Sequence, residues 1–452
     1  MLTYYRAGDY IKKTEAMLNN IRVSIIIPTH NREASLKRTL DALCNQTYPL
    51  QNMEVIVVAD GCIDGTINML KHYPAPFVLQ VIEQSPHGAA AARNRGAASA
   101  QGQILVFLDD DIESTPSLIE AHTLRHYGRS WQVVIGYSSP VVQGSADLFR
   151  MGLRSWWEDK FTSMNKPGHR FTYSDLCTGN VSLETELFKK VNGFNQDFLC
   201  REDYELGIRL IDIGASFIFE PNAIGYHHET SDLYKHFKRV YQEGRADVLI
   251  GRYHPRLLPI LPFSSFKIPG SFFRRTLLRF AFKFPKIVDA FAVRLRTVSD
   301  LLEWLRLRKR WHQLHSALRY YWYWRGVSEE LNTQQAFDHS LPCRLFHADK
   351  DFSCMEIDLS KGIEEAEKRL DQERPEHAYV LYGLHPIGHI PPNPGAERLS
   401  GKHLRQILAN ELAVPLLKAL ILEKAISAAG TSYQRFPHSG QFSVEKNAHK
   451  SA

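Results

Sequence analysis

The sequence lacks the features that define several common protein classes. No stretch reaches roughly eighteen consecutive apolar residues, so we expect no membrane-spanning helix. The first residues contain no apolar run of the kind found in a secretory signal. The six cysteines include no Cys-x-x-Cys pair, which argues against a structural zinc site or a disulfide framework and fits reduced thiols. We therefore expect a cytoplasmic protein.

The composition fits a folded chain of more than one domain. Hydrophobic residues make up 44% and charged residues 23% of the 452 positions, which argues against extensive disorder. A chain of this length is expected to form two or three domains. The texture of the sequence changes near 250 and again near 340, and the polar stretch 431–452 predicts a disordered tail.

Short apolar runs alternate with helical patterns in the first part of the chain. The runs lie at 23–27, 54–59, 78–83 and 104–108. This alternation predicts an α/β fold with a mostly parallel sheet that is covered by helices on both faces. Ligands of such folds bind beyond the carboxyl ends of the strands, which is where Asn31, Asp60 and Asp109 fall.

Three adjacent carboxylates, Asp109, Asp110 and Asp111, follow the last of these runs. Their mutual repulsion is tolerable where a divalent cation neutralises them, and hard oxygen ligands suit Mg²⁺ or Mn²⁺. If the chain stays extended, Asp109 and Asp111 point to one side and Asp110 to the other. The alternative is a solvated acidic turn, or a helix N-cap at Asp111.

Six motifs occur in this chain, and as a set they are more specific than any one alone. They are VSIIIPTHNR (23–32), ADGCIDGT (59–66), GAAAARNRG (88–96), FLDDDI (107–112), TGNVS (178–182) and REDYELGIRL (201–210). Together they resemble family 2 glycosyltransferases over roughly residues 20–250. The resemblance implies the A-type nucleotide-sugar fold, with a mostly parallel central sheet flanked by helices. It also implies transfer of a hexose from a nucleoside diphosphate sugar.

The resemblance implies a donor site built from several loops. Its members match family positions that face the base, the ribose, the diphosphate or the sugar: Pro28, Thr29, Asn31, Asp60, Arg93, Asn94, Asp109, Asp110 and Asn180. Ala59 stands where the family usually has a second acid, so the identity of the base stays open. Two alternatives also stay open: Asp60 could be a turn residue, and Gly88 and Gly96 could serve close backbone packing. Asn180 could equally lie on the acceptor side.

The resemblance further implies a metal site and a proton acceptor. Asp111 and Asp109, with His227 from NAIGYHHE, match positions that hold Mn²⁺ or Mg²⁺, which acts as a Lewis acid on the leaving diphosphate. Glu202 and Asp203 match an acidic pair whose second member takes the proton of the acceptor hydroxyl. The pair could instead simply complement a helix dipole. One base without a protein nucleophile implies a single displacement with inversion.

A basic, aromatic segment follows the predicted domain. Residues 252–325 contain 16 Lys and Arg against three Asp and Glu, a balance of +13 in a chain whose total is +6. From 298 onwards, apolar side chains recur every three or four residues, with Trp304 and Trp311 among them and arginines around them. This predicts one amphipathic basic helix on an anionic membrane surface, with a second such stretch at 263–285. The alternatives are a core helix, a dimer surface and, less favoured, RNA binding.

We therefore predict four parts: a glycosyltransferase catalytic domain (1–250), a basic aromatic helical segment (251–335), a small α/β appendage (340–430) and a disordered tail (431–452). In the appendage, YVLYGLHPIGHI predicts a hairpin, and residues 403–426 predict a helix kinked at Pro415.

The predicted enzyme moves one sugar to a hydroxyl of a saccharide or of a lipid-linked acceptor. It is expected to be non-processive, because no Trp completes a Gln-x-x-Arg-Trp signature at Gln242. We expect it in the cytoplasm or peripherally on the cytoplasmic face of the membrane, with no nucleic-acid partner. The rival hypotheses are a nucleotidyltransferase, which GAAAARNRG disfavours because it lacks Lys, and a non-catalytic membrane-associated scaffold.

Overall fold

The apolar runs of the N-terminal part form strands of one sheet. The computed structural model describes residues 21–141, 147–230, 232–264, 283–331 and 353–428. The strands of this sheet are β1 (Val23–Thr29), β2 (Met53–Asp60), β3 (Val78–Gln84), β4 (Ile104–Leu108), β5 (Ile112–Ser114), β6 (Gln132–Tyr137), β7 (Asn180–Glu184) and β8 (Ser216–His227). Their spatial order is β3-β2-β1-β4-β7-β6-β8-β5, parallel from β3 to β4 and mixed beyond. The four strands predicted from the sequence are confirmed.

Helices cover both faces of this sheet. They are α1 (Glu33–Leu43), α2 (Thr66–Lys71), α3 (Ala89–Ser99), α4 (Leu118–His126), α5 (Leu148–Met164), α6 (Thr185–Lys190), α7 (Glu202–Asp212) and α8 (Leu233–Tyr253). Side chains alternate along β1, so Ile25 and Ile27 join one core and Ile26 joins the other. A Cβ on Gly96 of α3 would lie 2.6 Å from Ile26 Cγ2, so this glycine serves close packing of α3 on the sheet.

Within the described residues 283–331, the basic segment forms two helices where the sequence predicted one continuous helix from 298 onwards. They are α9 (Pro285–Trp304) and α10 (Arg308–Leu331). The helical conformation is interrupted between them at Arg306, whose φ of 55° lies in the left-handed region. The break separates the two tryptophans: Trp304 is 78% exposed, whereas Trp311 is 2% exposed and stacks on His315. The single amphipathic helix is therefore wrong, and Trp311 belongs to the protein interior.

Helix α10 packs along α8 at a crossing of two glycines. A Cβ on Gly244 would collide with the backbone carbonyl of Tyr323, and one on Gly326 would collide with the carbonyl of Tyr241. Only glycine permits this backbone approach. The crossing holds α8 in place against the rest of the domain, which matters because α8 forms one wall of the cleft described below.

The described part of the appendage is a small α/β unit with its own core. Its elements are β9 (Cys354–Asp358), α11 (Ile363–Glu373), β10 (His377–Tyr382), β11 (His385–Ile390), α12 (Gly401–Asn410) and α13 (Ala413–Ala428). Strands β10 and β11 form the predicted antiparallel hairpin, and β9 pairs with β10 in parallel. The predicted kink at Pro415 is wrong: the helix breaks before Ala413, and Pro415 sits in the first turn of α13, where no intrahelical N–H bond is lost.

A strand-like contact joins the appendage to the larger domain. Arg170 donates through Nε to the carbonyl of Glu397 at 2.8 Å, and the amide of Glu397 donates to the carbonyl of Phe171 at 2.8 Å. The amide of Tyr173 donates to the carbonyl of Gly395 at 2.9 Å. These bonds fix the segment that leads from α5 towards β7.

Some predicted features fall beyond the described residues. Most of the stretch 263–285 and all of the tail 431–452 do so. In the described ranges, no helix is both long and apolar enough to cross a bilayer. The five cysteines found in those ranges are free thiols.

Candidate active site

A cleft of about 430 Å³ opens at the carboxyl end of β4, between α7 and α8. It gathers residues from motifs that are far apart in the sequence. Five of the predicted site residues line it: Arg93, Asp109, Glu202, Asp203 and His227. The topology explains Asp109 and His227, because β4 and β8 run in the same direction and bring their carboxyl ends to the same edge of the sheet. Arg93 reaches this edge from α3, and Glu202 and Asp203 reach it from the start of α7.

The chain turns at the acidic triplet instead of staying extended. The carbonyl of Asp109 accepts a hydrogen bond from the amide three residues on, at 3.2 Å. Arg32 donates to both Asp110 and Asp111, at 3.0 and 2.5 Å, whereas Asp109 points into the cleft. The predicted alternation, with Asp110 opposed to both neighbours, is therefore wrong, because a turn and not a strand follows β4. Arg32 had no predicted role, although it closes the first motif.

Their surroundings shift the pKa values of Asp110 and Asp111, which both bind Arg32, in opposite directions. Burial raises the pKa of Asp110 to about 6, although Arg32 and the Thr29 hydroxyl, which donates at 2.7 Å, favour the charged form. Burial also acts on Asp111, but His227 and Arg32 outweigh it and hold the pKa of Asp111 below its ordinary value. Asp111 is therefore the member of this pair that carries charge most readily.

Asp111 and His227 offer a partial metal site. Asp111 Oδ1 is buried and makes no close hydrogen bond; it lies at ion-pair distance, 3.4 Å, from His227 Nε2, with Glu229 Oε2 at 3.8 Å from the same nitrogen. A buried carboxylate oxygen beside an imidazole suits a divalent cation such as Mn²⁺ or Mg²⁺. Within the described ranges, no three acidic, histidine or cysteine side chains gather closely enough to hold a metal by themselves. The residues fit a cation whose other ligands come from a diphosphate and water.

Arg93 joins the acidic triplet to the acidic pair. Its guanidinium, 5% exposed, donates to Asp109 at 2.8 Å and to Glu202 at 2.7 Å. A planar guanidinium between two carboxylates fixes their separation and neutralises them. Asp109, predicted as a metal ligand, therefore has one oxygen committed to Arg93, and Glu202 is committed as well.

Asp203, the second residue of α7, faces the cleft and is not bonded to Arg93. One of its oxygens accepts from the amide of Tyr204 at 2.9 Å. Burial, and then the charge of Glu202, raise the pKa of Asp203 to about 6, while Lys160 and Arg239 act in the opposite direction. A carboxylate with a raised pKa is a better proton acceptor and is still ionised at neutral pH.

The loops on the predicted donor side are tied to one another. Asn31, with φ of 53°, accepts through Oδ1 from the amide of Ile63 at 2.8 Å. Asp60 accepts from the amides of His87 and Gly88, each at 2.8 Å, and so holds the loop that opens α3. Asp60 thus fills the turn role that the sequence left open. A base-reading role for Asp60 and Asn31 stays a prediction, as does the role of Pro28 within β1.

Two residues predicted to contact a ligand, Asn94 and Asn180, make hydrogen bonds within the protein. Asn94 exchanges hydrogen bonds of 2.8 Å with both the amide and the carbonyl of Phe194. Asn180 is fully buried, with its Oδ1 2.8 Å from His122 Nε2 and its Nδ2 donating to the carbonyl of Ala223 at 2.9 Å. In this structure both amides hydrogen-bond to neighbouring segments, and their contacts with a ligand stay predictions.

The sequence reasoning missed one wall of the cleft. Lys235, Lys238, Arg239 and Gln242 line it from α8, and Trp157 faces it from α5. The signal was present: the four α8 residues lie at i, i+3, i+4 and i+7, which is one face of a helix, shortly after the strand that carries the predicted histidine.

Comparisons with known proteins agree with this geometry. Residues 24–191 match the family model described as Glycosyl transferase family 2, and residues 159–237 match one described as N-terminal domain of galactosyltransferase. The chain is 30% identical over 272 residues to validoxylamine A glucosyltransferase of Streptomyces hygroscopicus subsp. jinggangensis (strain 5008), covering 53% of this chain and 62% of that protein. It is 28% identical over 209 residues to glycosyltransferase AglE of Haloferax volcanii, covering 45% of this chain and 66% of that protein. The chain thus spans less than two thirds of the length of these curated relatives.

Among solved structures, the mannosyltransferase PcManGT from Pyrobaculum calidifontis, in complex with GDP-Man and Mn²⁺, aligns with a TM-score of 0.45 at 17% identity, over 72% of this chain and 94% of that chain. This likeness is distant. Residues 24–191 match glycosyl transferase family 2, and the sheet order and the cleft at the sheet edge fit the A-type fold that the resemblance implies. The predicted resemblance and the predicted α/β fold with a mostly parallel sheet are confirmed.

Proposed function

We propose that this protein is an inverting, divalent-cation-dependent glycosyltransferase that moves one hexose from a nucleoside diphosphate sugar to a hydroxyl of a saccharide or lipid-linked acceptor. The observation that supports this most directly is Asp203, which faces the cleft while its neighbour Glu202 is held by Arg93. One proton acceptor fits a single displacement, in which the acceptor oxygen attacks as the bond to the diphosphate breaks. That displacement inverts the anomeric carbon.

Each residue then has a defined task. Asp203 accepts the proton of the acceptor hydroxyl, and Arg93 keeps Asp109 and Glu202 in register with it. Asp111 and His227 would hold the cation, which when bound supplies positive charge to the departing diphosphate. The name of the Streptomyces relative, a glucosyltransferase, supports a hexose donor.

The test is a donor screen. UDP-, GDP- and dTDP-hexoses are offered with saccharide and lipid-linked acceptors, and nucleoside diphosphate release is measured with and without EDTA. We expect release that requires an acceptor and stops with EDTA, one sugar added per acceptor, and an inverted anomeric signal by NMR. Pyrophosphate release from nucleoside triphosphates would favour the alternative of a nucleotidyltransferase. Absence of turnover with every donor would favour the alternative of a non-catalytic, membrane-associated scaffold.

We also propose that α9 places the protein on the cytoplasmic face of an anionic membrane. One side of α9 presents an apolar stripe whose members are 38–64% exposed: Ile287, Phe291, Val298 and Leu301. Arg294 lies within the stripe, and four exposed basic residues, 306 and 308–310, follow its end. An exposed apolar stripe with adjacent cations is typical of helices that lie in a bilayer interface.

Liposome flotation tests this second proposal. Changing Arg306, Arg308 and Arg310 together to Glu should release the protein from anionic vesicles, since each basic residue contributes about 1 kcal/mol near such a surface. Changing Phe291 and Leu301 to Ser should also weaken binding, but with less dependence on salt. A wild-type protein that floats with neither anionic nor neutral vesicles at low salt would show that α9 serves another purpose.

A further inference from the structure

Two histidines converge on the outer face of the appendage sheet. His377 of β10 and His389 of β11 bring Nδ1 and Nε2 to within 3.0 Å of each other, and their ring planes are perpendicular. The strand register pairs His389 with Tyr379, so the two imidazoles meet across a diagonal of the antiparallel ladder. One nitrogen of each ring therefore faces the other at a point that solvent can reach.

The hairpin holds both rings in place. Ala378 and Val380 are buried in the core of the appendage, which turns the alternate side chains His377 and Tyr379 outwards. The ring of Tyr379 stacks on the ring of His389, with centroids 4.4 Å apart and planes 21° apart. This stacking fixes the plane of an imidazole that would otherwise rotate. The pair is thus a built feature of the sheet and not two independent surface side chains.

The separation of the two nitrogens suits a shared metal ion. Nitrogen ligands that lie about 2.1 Å from a divalent cation, at right angles to each other, are about 3.0 Å apart. Right-angled nitrogen coordination is typical of Ni²⁺ and Cu²⁺. A hydrogen bond between the two imidazoles gives the same distance, but on an exposed surface it contributes little, because water can replace it.

The charges and donors around the pair favour a cation. Strands β9, β10 and β11 contain Glu356 and Asp358 but neither Lys nor Arg. Glu356 is exposed and is the register partner of Tyr379, and the free thiol of Cys354 is exposed beside its own register partner, His377. In the described ranges no third donor side chain is close enough to complete a three-residue group, so water would fill the remaining positions of the cation.

We propose that His377 and His389 form a binding site for a divalent transition cation that prefers nitrogen ligands, such as Ni²⁺ or Cu²⁺. The described residues of the appendage do not line the cleft, so this site is separate from the Mn²⁺ or Mg²⁺ of the proposed function and does not depend on it. A cation held by one nitrogen from each strand would join β10 to β11 and stabilise the hairpin.

Calorimetric titration of Ni²⁺ into the full chain tests this inference. Ni²⁺ is the probe because, unlike Cu²⁺, it does not oxidise thiols. The protein is prepared without a histidine tag, and excess Mg²⁺ occupies sites built from oxygen ligands. The double variant His377→Gln, His389→Gln should bind one Ni²⁺ fewer per chain than the wild type. A matched control, His72→Gln with His312→Gln, removes two exposed histidines that lie after α2 and on α10, and it should bind as many as the wild type.

Two results would overturn the inference. One is equal Ni²⁺ stoichiometry in the wild type and in the double variant. The other comes from NMR, where paramagnetic Ni²⁺ should broaden the ring-proton signals of His377 and His389 before those of other histidines; earlier broadening elsewhere would assign the cation to another site. Each single variant, His377→Gln or His389→Gln, should also lose the site, because one imidazole does not make the pair. A failure of sugar transfer in the donor screen would leave both measurements unaffected.

Discussion

Replacing Asp203 by Asn should stabilise the protein while greatly slowing transfer. In the folded state burial and Glu202 raise the pKa of Asp203 from 3.8 to about 6. Two pKa units correspond to about 3 kcal/mol of unfolding free energy, which ionised Asp203 costs the folded state. Because the side chain keeps some contact with solvent, we expect the Asp203→Asn substitution to recover about 1–2 kcal/mol at neutral pH.

The pH dependence gives the sign of this effect. A carboxyl whose pKa is raised by folding favours the folded state when protonated, so wild-type Asp203 costs nothing below about pH 4. The cost grows between about pH 4 and pH 6 and is constant above that range. An amide cannot ionise, so the advantage of the variant over the wild type should appear across the same window.

Urea denaturation of both proteins at pH 4 and pH 7.5, fixed by buffer, measures the difference directly. Asp159→Asn is the matched control, because Asp159 is exposed on α5 and its substitution removes the same charge. Transfer by Asp203→Asn should fall by about 10²-fold or more, with nucleoside diphosphate binding unchanged. A variant that is no more stable than the wild type at pH 7.5, or that transfers normally, would refute the reasoning.

Three further substitutions separate binding from architecture. Asp111→Ala should keep the fold and lose metal-dependent nucleotide binding, because the buried Oδ1 beside the histidine is gone; calorimetry with Mn²⁺ and a nucleoside diphosphate checks this, and undiminished binding would contradict the assignment. Arg93→Met should lower the free energy of unfolding by about 3–5 kcal/mol, because Asp109 and Glu202 lose the cation that they share. Urea denaturation measures this loss, and a loss under ~1 kcal/mol would argue that Arg93 does not bridge the two carboxylates. Asn180→Ala should cost about 2–3 kcal/mol and leave donor KM unchanged, whereas a raised KM with normal stability would restore a ligand contact.

Much of the fold and the position of the cleft could be predicted from the sequence. A short run of β-branched, apolar residues predicts a buried strand from local sequence alone. The predicted strands that end near Asn31, Asp60 and Asp109 therefore have nearly the observed boundaries. The edge of the sheet at which these residues gather follows from parallel topology. The placement of Glu202 and Asp203 in the same cleft could be predicted only from the family resemblance, because they lie on a helix and not at the end of a strand.

The remaining features depend on pairings that no local pattern encodes. Arg93 contacts Glu202 across 109 positions, and Asn180 contacts His122 across 58. Such contacts are decided by how helices pack on the sheet. The break at Arg306 was missed because the apolar spacing of α9 continues in phase into α10, although the chain turns between them.

The contact between residues 170–173 and 395–397 makes the appendage part of the support of the cleft. Tyr173 lies directly against Gly395, where a Cβ would come within 2.6 Å of its ring, and its carbonyl lies against Gly207 of α7 at 2.9 Å from a Cβ there. Helix α7, whose first turn carries Asp203, therefore rests on a segment that the appendage clamps. We therefore expect opening of the appendage to loosen α7, so that the amides of α7 and α12 exchange as one cooperative unit. A fragment that ends before residue 353 would carry Asp203, the proposed proton acceptor, on a helix without this support.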